Sequence, residues 1–175
     1  METPRSIPDL LDAAHSADLA VAGHACRELL SRPAECQNHI DRLIDLLQNS
    51  NAAIADYAFR TLERIGQPAV DPLIRTYGKS QGEFRRLLVG LIAGIARFDD
   101  YFPILQTEIN DGEAECRYWA ANCLGRSFND DVDWPADAIE LLDDAVEILV
   151  SLQNQPAHWT QARMTLKHLG KLPNA

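Results

Sequence analysis

Apolar and small residues recur along this chain with the spacing of a single helical stripe. Val21, Ala25, Cys26 and Leu29 make a first copy, and Ile54, Ala58, Phe59, Leu62 and Ile65 a second. Phe84, Leu88, Val89, Ile92 and Ile95 make a third; Cys116, Ala120, Ala121 and Leu124 make a fourth. Each places side chains at i, i+4, i+5 and i+8, which the helical period gathers onto one buried face. The anchors Ala25, Ala58, Leu88 and Ala120 are 33, 30 and 32 residues apart, and Ala162 anchors a fifth copy 42 residues further on. Self-similarity at such a period marks a repeat architecture, in which each unit buries its apolar face only against its neighbours.

A second set of helices alternates with the first. Ile7, Leu10 and Leu11, then Ile40, Leu43, Ile44 and Leu47, then Val70, Leu73 and Ile74, then Phe102, Ile104 and Leu105 keep nearly the same period. The stretch from Ala138 to Leu152 supplies its last and longest member. Breakers separate the elements: Asn49 to Asn51, Gly66 to Pro68, Gly78 to Gly82, and Asp111 with Gly112. Glycine past a helix end and proline at the next start are helix punctuation. No run of β-branched alternation competes, so strands are not expected. The pattern predicts an all-α fold: one domain over residues 1–175, a right-handed α-solenoid of about five antiparallel helix pairs. Leu29, Leu43, Ala58, Leu62, Leu73, Leu88, Ile92, Ala120, Leu124 and Leu166 are its expected core.

Glu115, Cys116 and Arg117, followed by Ala120, Ala121, Leu124 and Gly125, resemble the inner helix of HEAT-like repeats. Gly66 to Ile74, with Pro68 and Pro72, is similar to the entry of an outer helix in that family. The resemblance spans nearly the whole chain and is specific in the second to fourth repeats. The first copy lacks the arginine, and the fifth has His158, Trp159 and Thr160 where the glutamate and arginine would stand. Departures at the ends suit repeats that face water on one side. The resemblance implies a protein-binding scaffold whose inner helices line a concave face. Two HEAT-like families are enzymes: glycosylases that remove alkylated DNA bases, and lyases that attach bilin pigments. Trp119 and Trp159 are aromatic residues of the kind a glycosylase sets against a flipped base. The charge of this chain opposes that reading, and no motif specific to the lyases is present.

The 175 residues carry 16 Lys and Arg against 26 Asp and Glu, a formal net charge of −10. Such a chain repels phosphate backbones, so nucleic acid is not the expected partner. The longest apolar run, Leu87 to Ala96, is too short to span a bilayer and reads as a buried helix, in which Gly90 and Gly94 serve close packing. The N-terminus has no basic stretch followed by an apolar one, so a cytoplasmic location is expected. Cys26, Cys36, Cys116 and Cys123 show no CxxC spacing and read as free, buried thiols. The histidines sit at no metal-ligand spacing, and neither a phosphate-binding glycine loop nor a nucleophile elbow appears. No cofactor, metal or catalytic activity is expected.

Charge is unevenly spread. Residues 97–150 hold 14 acids against Arg97, Arg117 and Arg126, whereas residues 1–96 hold 12 acids and 10 bases. The acidic block contains the one break in the repeat period, a loop from Ser127 to Asp137. Asp130, Asp131 and Asp133 stand beside Trp134 there, which reads either as a side chain tucked onto the core from a solvated connection or as a protruding aromatic anchor suited to a basic protein partner. A second candidate surface is the stripe flanking each buried face: Asp56, Arg60 and Arg64, then Arg86, Gly90 and Gly94, then Tyr118, Asn122 and Arg126. Of these, Arg60, Arg86, Tyr118 and Asn122 are the expected contacts. Together the features point to an immunity protein that occludes a cationic, nuclease-type toxin; the alternative is an adaptor or assembly factor with no toxin involved.

Overall fold

The computed structural model describes residues 5–128, 134–152, 155 and 158–170. Every regular element among them is helical: α1 (Ile7–Ala14), α2 (Leu19–Ser31), α3 (Pro33–Cys36), α4 (Ile40–Leu46), α5 (Ala52–Ile65), α6 (Val70–Tyr77), α7 (Gly82–Ile95), α8 (Phe98–Asp111), α9 (Ala114–Ser127), α10 (Ala136–Leu152) and α11 (Trp159–His168). Short 3-10 turns lead into α4 and α6. The fold is all-α, and its helices alternate along the chain as the two stripe patterns predict. The side chains expected in the core are all buried, none more than 2 % exposed. Each such leucine contributes roughly 2 kcal/mol by leaving water.

Local chemistry sets the early helix ends. The Ser6 hydroxyl, the Asp18 carboxylate and the Asn51 amide oxygen each accept a backbone N–H in the first turn of α1, α2 and α5. Such caps satisfy donors that the helix itself leaves free. Gly66 ends α5 at φ 71°, a conformation that side-chain-bearing residues rarely adopt. The starts of α8 and α9, at Arg97 and Glu113, have no side-chain cap.

The chain divides into two compact units, Met1–Lys79 with Gly94–Ala96, and Ser80–Ala93 with Arg97–Ala175. In the first, α1 packs on α2 and α4, α4 on α5 and α6, and α2 on α5. Arg32 Nη1 donates to the Arg5 carbonyl at 2.8 Å, so the end of α2 meets the start of α1 and the two are antiparallel. Arg64 Nη1 donates to the Leu30 carbonyl at 3.0 Å, bringing the ends of α5 and α2 together, so these two are parallel. The result is two rows, α1, α4 and α6 in one, α2 and α5 in the other.

The second unit repeats this logic. α9 packs on α8, α10 and α11, while α10 also touches α8 and α11. Arg117 Nε donates to the Ile109 carbonyl at 3.0 Å, the signature of an antiparallel α8–α9 hairpin. The Cys116 thiol lies 3.9 Å from the Gly82 carbonyl, and Tyr118 reaches the start of α11. Thus α7, α9 and α11 form one parallel row, with α8 and α10 in the other. Glu108 of α8 is fully buried and held by Arg85 Nε of α7 at 2.6 Å. A buried ion pair gives little net stability, but removing one partner strands the other charge at a cost of about 3–5 kcal/mol. Beside it, burial, and after burial the Glu108 charge, pushes the Cys116 thiol up to about 11. All four cysteines are free thiols.

Helix α8 carries Pro103 in its interior, five residues after its start. Proline lacks the N–H that would bond the Asp99 carbonyl, and Asp99 is an exposed residue. Gly90 and Gly94 do not serve close packing, since a Cβ built at either would meet nothing within 4 Å among the described residues. Gly125 does, because a Cβ there would lie 2.6 Å from Thr165 Cγ2.

Candidate partner-binding site

The parallel row of α7, α9 and α11 leaves a cleft of about 470 Å³ in the second unit. Tyr118 and Trp119 of α9 line it, with Arg86 from α7, His158 at the start of α11, and Glu113 and Glu115 at the start of α9. The helical period puts Glu115, Tyr118, Asn122 and Arg126 on one stripe of α9, and that stripe faces α11. The Arg86 guanidinium sits 5.1 Å from the Trp119 ring centre and bonds Glu83 at 3.1 Å. The His158 ring lies 4.1 Å from the Tyr118 ring, and its Nε2 is 3.2 Å from Glu115. Tyr118 completes the link by donating its hydroxyl to the His158 carbonyl at 3.3 Å. Burial, and after it the Glu115 charge, holds the Tyr118 phenol above its ordinary pKa, so it stays a neutral donor.

Further along the same two helices lies a second cleft of about 300 Å³, lined by Asn122, Arg126, Gln161, Met164, Thr165 and His168. Asn122 donates from Nδ2 to Gln161 Oε1 at 2.9 Å, and its Oδ1 accepts the Thr165 hydroxyl. His168 Nε2 lies 2.9 Å from the Phe128 carbonyl. Gln161 borders both clefts. No group of three or more metal-ligating side chains is gathered among the described residues.

The sequence-predicted residues have different fates. Arg60 is exposed and paired with Asp56 at 2.9 Å, and Arg86 lines the first cleft. Tyr118 and Asn122 were expected as open positions on a concave face, and here the structure corrects the expectation: each is 1 % exposed. The reason is α11, which returns onto α9 and covers that stripe. Trp134 is not a protruding anchor either. Its ring stacks on Phe128 at 5.0 Å and meets Phe98 edge-on at 4.7 Å, leaving it half-buried. Asp130, Asp131 and Asp133 lie outside the described residues, as does the side chain of Trp159.

Sequence reasoning passed over Glu113, Gln161 and, as a site residue, His158. The signal for His158 was present: it begins the stretch where the fifth repeat departs from the pattern, and its partner Glu115 belongs to the pattern itself.

No family model matches this chain, and no curated protein does. Among solved structures it is similar to an engineered protein, at 18% identity and TM-score 0.49, over 95% of this chain and 80% of that one. It is also similar to a designed armadillo repeat protein, at 16% identity and TM-score 0.41, over 93% of this chain and 99% of that one. At likeness this low the fold class rests on the chain's own helices. Among the described residues no helix is long and apolar enough to cross a membrane.

Proposed function

We propose that this chain is a HEAT-like, non-enzymatic binding protein of the cytoplasm, and that it acts as an immunity protein by occluding a cationic toxin of the nuclease type. The observation that carries the reading is the acidic block. Of its members among the described residues, Asp99, Asp111, Glu113, Glu115, Asp137, Glu140, Asp143, Asp144 and Glu147 are exposed. A protein that acts on nucleic acid needs a basic surface, and a small acidic partner meets that surface rapidly through long-range attraction. The same field repels nucleic acid itself.

The test is recovery of the tagged chain from the cells that express it, with identification of what co-elutes. Recovery of a basic nuclease whose activity the purified chain abolishes at equimolar ratio supports the reading. Association should slow by about tenfold between low salt and half-molar salt, as steering is screened. Recovery of a subunit of a larger assembly, with no inhibition of any activity, would replace immunity with an adaptor role. Association that ignores salt would overturn the electrostatic basis of both.

A further inference from the structure

The two clefts border Gln161 from either side and follow one another along the parallel helices α9 and α11, a trough in two parts. Its floor is already satisfied: Tyr118 bonds the His158 carbonyl, while Asn122 bonds Gln161 and Thr165. A ligand therefore reads the rims, and the rims are opposite in charge. At one end Glu83, Glu113 and Glu115 outnumber Arg86. At the other, Arg126 and His168 line the trough with no carboxylate beside them among the lining residues.

Resting on the reading above, that the partner is a protein with a basic surface, we infer that this trough holds an extended segment of that partner. The segment places a lysine or arginine against Glu113 and Glu115, and an aspartate or glutamate against Arg126. The spacing follows from geometry. Glu115 and Arg126 are separated by eleven residues of α9, roughly 17 Å at the rise of an α-helix. An extended chain covers that span in about five residues. The positive helix ends offset part of the acidic rim, but that effect fades within the first turn. Recognition by one such segment is accordingly weak, with a dissociation constant on the order of 0.1 mM, and supplies register more than affinity.

The probes are capped hexapeptides titrated into the isotope-labelled full chain and followed by NMR. One carries arginine and glutamate at its two ends, a second carries the same residues side by side, and a third carries glutamine in place of both. The first should shift the Trp119 indole N–H and the Arg126 and His168 amides, and bind about fivefold more tightly than the second. Glu113→Gln should abolish the preference at the Trp119 end, and Arg126→Gln at the other; both positions are exposed, so folding is retained. Equal binding of the three peptides, or shifts away from α9 and α11, would sink the trough. Decalysine separates this from the broader reading. It should bind through the acidic block, weaken when Glu140, Asp143 and Asp144 are neutralised together, and ignore Arg126→Gln. Loss of the decalysine response with the hexapeptide preference intact would overturn the acidic-surface reading and leave the trough standing.

Discussion

Helices α5 and α9 have the same repeat register and end up in different surroundings. On α5 the stripe beside the buried face is Asp56, Arg60 and Arg64, all exposed. On α9 it is Tyr118, Asn122 and Arg126, of which the first two are buried. Periodicity says which side of a helix a residue occupies. It does not say whether another helix will cover that side. On α9 the covering element is α11, and the residue that admits it is Gly125, whose missing side chain leaves room for Thr165 and Leu169.

The comparison can be broken most forcefully at the buried face that each helix has in its own unit. Leu62→Ala on α5 and Leu124→Ala on α9 remove fully buried side chains, and each should cost about 2–5 kcal/mol in denaturant unfolding. If only one of them does, the two helices are not equivalent at their buried faces. Next comes the contact that distinguishes α9. Gly125→Val should destabilise by about 2 kcal/mol, because its Cβ would overlap Thr165. Gly90→Ala, with open space at its Cβ, should stabilise by up to about 1 kcal/mol in the same melting assay.

Trp134→Ala should lower stability by about 1–2 kcal/mol through lost stacking on Phe128 and Phe98. A melting temperature unchanged by that substitution, with a faster off-rate from a partner, would restore the exposed-anchor reading. The finest test pairs the two stripes directly. Asn122→Ala leaves the buried Thr165 hydroxyl without its acceptor and should cost about 1–3 kcal/mol. Arg60→Ala breaks an exposed ion pair and should cost less than about 0.5 kcal/mol. Equal losses at both positions would mean that α11 does not cover α9 in solution.

These contrasts also mark what the sequence could and could not disclose. The helices and their core were legible because a buried stripe imposes its period on the chain, as at Leu62, Ile92 and Leu124. The caps at Asp18 and Asn51 were legible in kind, since both residue types favour helix starts. The burial of Tyr118 and Asn122 was hidden, because it depends on Gln161 and Thr165, some 40 residues away. Gly90 and Gly125 look alike in a sequence, yet only one has a neighbour within contact distance.

The bond between Asn122 and Thr165 closes a separation of 43 residues, whereas the α8–α9 hairpin closes one of 8 between Arg117 and Ile109. Loop-closure entropy makes the longer closure about 1.5 kcal/mol more costly, before any contact rewards it. The α8–α9 hairpin should therefore form in the folding transition state and α11 should dock after it. Substitutions at Gly125 or Thr165 would then accelerate unfolding while leaving the refolding rate nearly unchanged, giving φ-values near zero. Docking of α11 is in that sense the chain's kinetic lock. On this order of events the lifetime of a finished trough depends on that docking.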